Sequence, residues 1–138
     1  MKASEINYLV DAGPIVGLLS QTDQWHVWSD SVLTVLDERL ATTETIWAEV
    51  CHLHQKNRVG LFAAIEAVEG GKIVLLSVWD RASRIRMLLE KYLHMDVGDA
   101  TLVVLSEKLP KAKIITTDVR DFTVYRRFRN EPLPLIHP

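Results

Sequence analysis

The chain has 138 residues, of which 48% are hydrophobic and 25% charged, with a formal net charge of -2. This length and balance suggest one domain over residues 1–138 with a real core, and they exclude a disordered chain. Near-neutrality excludes nucleic-acid binding by overall charge, so any such binding must come from a local basic patch.

Residues 6–10 are short and apolar and are ended by Asp11-Ala12-Gly13-Pro14, which predicts a buried strand. Pro14 favours a first helical turn, and a short helix is expected to Leu19. Asp23 reads as the N-cap of a helix from Gln24 to Glu38, with Trp25, Trp28, Val32, Val35 and Leu36 along one side. Leu40-Ala41-Thr42 is a short strand, and Thr43 or Thr45 caps the following helix, which carries Glu49. A lone thiol, Cys51, sits there; it rules out an internal disulfide and fits a reducing compartment. A helix around Val59–Val68 stops at Gly70-Gly71. Lys72 to Val78 is apolar without alternation, the pattern of a strand covered on both faces. Asp80 to His94 is amphipathic. Asp96 opens a helix that is apolar nearly all round and therefore central, and it ends before Pro110. Lys113 to Thr117 is a strand, and the proline-rich tail with Leu133, Leu135 and Ile136 suggests an edge strand. Strands alternating with helices predict an α/β three-layer sandwich around a mainly parallel sheet. The start, Met1-Lys2-Ala3-Ser4-Glu5, leads to Asn7 and Asp11 and lacks the apolar core of a signal peptide. No apolar run reaches the roughly 18 residues needed to span a bilayer, so a cytoplasmic protein is expected.

Four acids stand out against this apolar background. Asp11 and Asp118 each close a strand. Glu49 lies mid-helix, three residues after Ile46 and four before Leu53, so it is expected to face inward with them. Asp99 shares a helix face with Leu102 and Val103. Carboxyl ends of strands border the binding crevice of an open α/β sheet. Carboxylates gathered there repel one another, and a divalent cation such as Mg²⁺ or Mn²⁺ keeps them charged. Such a site activates water and neutralises a phosphate. Each acid except Glu49 also has a local structural reading: Asp11, Asp96 and Asp118 as N-caps, Asp99 and Asp121 as acids in a first helical turn. No GxxxxGK[ST] cradle is present, and the histidines lack zinc-ligand spacing.

At these residues the chain resembles a PIN domain, and most closely the single-domain VapC-type toxin ribonucleases of toxin–antitoxin pairs. The carriers are Val10-Asp11-Ala12-Gly13-Pro14, Trp47-Ala48-Glu49-Val50, Gly98-Asp99-Ala100-Thr101-Leu102, and Thr116-Thr117-Asp118 followed by Asp121-Phe122. Each motif alone is weak, whereas the ordered set is fairly specific and spans nearly the whole chain. The resemblance implies a PIN fold, an Mg²⁺- or Mn²⁺-dependent endoribonuclease, a homodimer and a cognate antitoxin protein. It implies Asp11, Glu49, Asp99 and Asp118 as metal-holding catalytic acids, with Thr116 lining the site and Asp121 as an auxiliary acid. Asp96 is an extra acid that either contributes or only caps.

Candidate RNA contacts fall in two basic segments, one with Arg81, Arg84, Arg86 and Lys91, the other with Arg120, Arg126, Arg127 and Arg129. These residues are equally well read as solvated faces. Trp25 and Trp28 suit core or subunit contacts better than base stacking. Two other readings remain: a receiver-like signalling domain with Asp80 as phospho-acceptor, which lacks the lysine expected after a late strand, and a non-catalytic RNA-binding module of the same fold.

Overall fold

The structure, a computed structural model, describes residues 6–138; the start Met1–Glu5, expected above to lack a signal-peptide core, lies outside them. Five parallel strands form the sheet, in the order β3-β2-β1-β4-β7: β1 (Tyr8–Val10), β2 (Leu40–Thr43), β3 (Ile73–Leu76), β4 (Lys113–Ile115) and β7 (Leu135–Ile136). A separate small antiparallel pair joins β5 (Arg126–Arg127) to β6 (Glu131–Pro132). The helices are α1 (Ala12–Leu19), α2 (His26–Leu33), α3 (Glu44–Leu53), α4 (Arg58–Glu69), α5 (Ala82–Lys91), α6 (Val97–Lys108) and α7 (Val119–Phe122).

Side-chain alternation divides the core. Leu9, Ala41 and Ile114 point to one face and pack with α5 and α6; Val10, Leu40 and Ile115 point to the other and pack with α1, α2 and α3. The result is the expected α/β/α sandwich. Every residue of α6 from Ala100 to Ser106 is buried, as its all-round apolar sequence predicts. The sequence places β1 at the centre, with β2 and β3 laid to one side and β4 and β7 to the other. The order therefore reverses between β1 and β4, where a doubly wound sheet opens its crevice.

Three expectations are corrected. The helix expected over 24–38 spans only His26–Leu33. Asp23 accepts from the Trp25 amide, which makes a turn ahead of the helix, and Val35 is 74% exposed. Beyond it, Lys72 Nζ binds the Leu36 and Glu38 carbonyls, which supplies partners that a longer helix would have supplied. The run in β3 is not covered on both faces: it is an edge strand, and only Ile73 is fully buried. Glu49 does not face inward with Leu53, which is 59% exposed. The buried stripe of α3 runs Ile46, Val50, His54, at i, i+4, i+8, and Glu49 flanks it on the exposed side.

Candidate active site

Asp11 follows β1 directly and caps α1. Its Oδ1 accepts the Ala12 amide at 2.8 Å, and its Oδ2 accepts the Thr116 hydroxyl at 2.9 Å. Thr116 follows β4, and its hydroxyl oxygen also accepts the Asp118 amide at 3.0 Å. The ends of the two strands at the reversal point are thus stitched together through one threonine. Gly13 permits the approach, because a Cβ there would meet Thr117 Oγ1 at 2.2 Å. Asp118 is the N-cap of α7 and accepts the Asp121 amide at 3.1 Å. Asp96 caps α6 by accepting the Asp99 amide at 2.7 Å. The three acids predicted as caps at this end of the sheet, Asp11, Asp96 and Asp118, therefore do cap their helices, and the capping geometry turns them toward one crevice.

Oxygen atoms of Asp99, Asp118 and Asp121 all lie within 4.8 Å of one another. Asp121, which the resemblance gave as an auxiliary acid, therefore lies in this close group, which includes neither Asp11 nor Glu49. Glu49 stands at the rim near the start of α6, where Gly98 leaves room: a Cβ there would sit 3.8 Å from Glu49 Oε2. Asp96 does more than cap, since its charge pushes the carboxyls of Asp11, Glu49, Asp99 and Asp118 upward.

Electrostatics show the strain of this gathering. Burial, reinforced by Asp118 and Asp96, raises Asp11 from 3.8 to about 6 despite its two hydrogen bonds. Burial, with Asp11 and Asp96, raises Asp99 to about 8. Asp118 is raised by burial and by Asp121, and Glu49 by burial and by Asp96. Among the described residues, no lysine, arginine or histidine forms an ion pair with any of these six carboxyls.

One participant was missed in the sequence. Tyr125 is buried and donates its hydroxyl to Asp99 Oδ2 at 2.8 Å. Its ring meets Tyr92 and Phe122 edge-on, with centroids 5.1 and 5.2 Å away. Its phenol is pushed upward by burial and by Asp99. The available signal was its position four residues after Asp121, on the far side of a one-turn helix.

The arginines singled out in the sequence separate clearly. Arg84 forms a two-pronged bridge to Glu107 and stacks over Phe128 at 4.3 Å. Glu107 lies eight residues beyond Asp99 on α6, about 12 Å along the axis, so Arg84 braces the far end of the helix. Arg126 spends its guanidinium on the carbonyls of Thr123, Val124 and Tyr125. Arg127 is buried against Ser106, Pro110 and Glu131. Arg81 and Arg120 remain exposed. Asp80 is paired with Lys108 and stands outside the acidic group, which leaves the phospho-acceptor reading without a site. Trp28 packs against the core, and His54 is buried with Nδ1 at 3.0 Å from the Val50 carbonyl.

No protein-family model matches the sequence, and no curated protein sequence matches it. Solved structures do. The chain superposes on the Mycobacterium tuberculosis toxin VapC20, described as cleaving the sarcin–ricin loop, with a TM-score of 0.63 and 15% identity, over 78% of this chain and 86% of that one. A toxin–antitoxin complex from Klebsiella pneumoniae gives 0.66 and 18%, over 92% and 97%. VapBC2 from Rickettsia felis, solved bound to a DNA fragment of its promoter, gives 0.63 and 12%, over 95% and 98%. The chain has a PIN-domain fold. In that PIN fold, the acids gather at the reversal point between β1 and β4. Among the described residues no helix is long and apolar enough to cross a membrane.

Proposed function

We propose that the chain is a metal-dependent endoribonuclease that hydrolyses RNA phosphodiester bonds, acting in the cytoplasm as the toxin of a toxin–antitoxin pair. The observation that carries this reading is the close approach of Asp99, Asp118 and Asp121, with Asp11 near enough for its charge to act on Asp99 and no protein cation paired to any of them among the described residues. The donor set is all carboxylate oxygen, which suits Mg²⁺ or Mn²⁺ and not a soft metal. Asp99, Asp118 and Asp121 would hold the ion, with Asp11 and Glu49 within its field. When bound, such an ion supplies an activated water and neutralises charge on the phosphate.

The remaining work falls to the chain. Asp11 is held through both oxygens, so it presents a fixed negative charge to whatever occupies the crevice. Thr116 couples Asp11 to the Asp118 backbone, and Tyr125 fixes the Asp99 carboxyl. This preorganisation is what a displacement at phosphorus requires of a protein that contributes no nucleophile of its own.

The partners of this reading are an RNA substrate, a second copy of the chain and an antitoxin protein. Supporting an antitoxin, α4 leaves Val59 and Phe62 exposed beside an apolar groove of about 340 Å³ between α1 and α4. A basic side chain from such a partner would pair with the crevice acids in place of the metal.

The test is cleavage of RNA by the purified chain with Mg²⁺, with Mn²⁺ and with a chelator. Cleavage should require metal and fall by orders of magnitude in Asp118→Asn, with the fold retained by circular dichroism. RNA binding without metal-dependent cleavage would make the chain a binding module of the same fold instead.

A further inference from the structure

Beside the acidic crevice lies a second concavity of about 370 Å³, between the turn that follows α5 and helix α7. It shares two walls with the crevice. Asp121 belongs both to the carboxylate group and to this cleft, and Tyr125, whose hydroxyl binds Asp99, lies beneath the cleft wall. Its rim is basic. Lys91 and His94 come from one side and Arg120 from the other, so the two basic segments of the sequence meet here. Its floor is apolar and open, with Leu93 85% and Val124 57% exposed.

We propose that this cleft receives the nucleotide of single-stranded RNA that adjoins the scissile phosphate. The inference rests on the endoribonuclease reading and assigns a binding subsite to it. A polyanion cannot settle against six carboxyls unless cations stand close by. Arg84, Arg126 and Arg127 are committed to other partners, so these cations are not among them. Lys91 and Arg120 stand where the backbone would leave the crevice, and phosphate contacts of this kind set position and orientation. Leu93 and Val124 offer an exposed apolar surface that a base face covers, as apolar and aromatic platforms do for unpaired bases. The volume is at the small end of ligand clefts, which run from about 300 Å³ upward, so it admits one nucleotide and not a duplex.

The experiment uses the full chain in the Asp118→Asn form, so that bound RNA is not consumed, with Mg²⁺ present. A fluorescent, mixed-sequence single-stranded RNA is titrated by anisotropy across a series of salt concentrations. Arg120→Ala and Lys91→Ala should each weaken binding about fivefold or more and make the salt slope shallower by about one. Lys111→Ala, at the amino end of β4 and the opposite end of the sheet, should leave binding unchanged. With 4-thiouridine in the RNA, irradiation should attach it to the segments 91–95 or 120–125. Equal losses in all three variants, no loss in any, or crosslinks elsewhere would overturn the subsite. So would Val124→Arg splitting a dimer without touching RNA affinity, since that marks the cleft as a subunit contact. Failure of the two readings is distinguishable. If unaltered protein cuts RNA while the cleft variants bind normally, only the subsite falls. If it binds RNA through the cleft and never cuts, only the catalytic reading falls.

Discussion

Tyr125 carries one side of the acidic site through one hydroxyl. It is 3% exposed and wedged between two aromatic rings, so its position is fixed by packing and not by the carboxylate it serves. A hydrogen bond to a charged group contributes about 1.5–3 kcal/mol, and here it opposes the burial that raises Asp99. Tyr125→Phe keeps the ring and removes the bond. Mn²⁺ affinity, read by calorimetric titration, should fall about tenfold, with the melting temperature of the metal-free protein nearly unchanged. Unaltered affinity would show that Asp99 needs no such support. Glu49 belongs to the same comparison. From its rim position, Glu49→Gln should weaken Mn²⁺ binding less than Asp118→Asn does, and equal losses would move it back among the inner ligands. The sequence misled at Glu49 because helical spacing says which residues share a face with Ile46 and not how far from the core that face has turned. Asp121 was legible as an acid but not as a member of the inner group, since its excuse as a first-turn residue of α7 is equally true.

At the scale of elements, the site depends on two loops that end neighbouring strands and touch at one glycine. The Asp11 loop after β1 and the Thr116–Asp118 loop after β4 meet where Gly13 faces Thr117. Gly13→Ala should force Thr117 aside and cost about 1–3 kcal/mol of stability, the usual range for overpacking. Activity should fall with it, because the same shift disturbs the threonine that links Asp11 to Asp118. Thr117→Ala in addition removes the 2.2 Å contact, and the double variant should recover most of the loss in chemical denaturation. Additive losses would place the role of Gly13 in backbone freedom alone. The order of the five sheet strands and the longer helices was readable, because apolar runs, caps and Gly-Gly stops are local signals, whereas the two-residue strands β5 and β6 gave no such signal. What was not readable was tertiary. The length of α2 depends on Lys72 reaching the Leu36 and Glu38 carbonyls from a distant segment, and the edge position of β3 depends on how many strands lie beyond it. A fully apolar run looks the same at the centre and at an edge.

For the whole molecule, gathering six carboxyls at one end of a nearly neutral chain ties folding, pH and metal together. Asp11 is raised to about 6 and Asp99 to about 8, from 3.8 in the unfolded chain. Between those limits the native state holds more protons than the unfolded state, so unfolding releases protons and stability falls as pH rises. The contribution is fully present below about pH 4 and is lost as pH climbs through about 6 for Asp11 and about 8 for Asp99. A divalent cation acts in the opposite direction. It binds the folded crevice, needs the carboxyls deprotonated, and stabilises by mass action. The metal-free melting temperature should therefore decline from about pH 5 to about pH 8, and the rise produced by Mn²⁺ should widen over the same interval. Asp99→Asn removes the larger of the two shifts. In metal-free protein it should melt above the unaltered chain at about pH 8, with the gap closing toward about pH 5, and it should respond weakly to Mn²⁺. The measurement is a thermal melt of both proteins across this pH series, with chelator and with Mn²⁺. A metal effect of constant size at every pH would mean that protons and cation do not compete for the same carboxyls, and the crevice acids would then have to be reassigned.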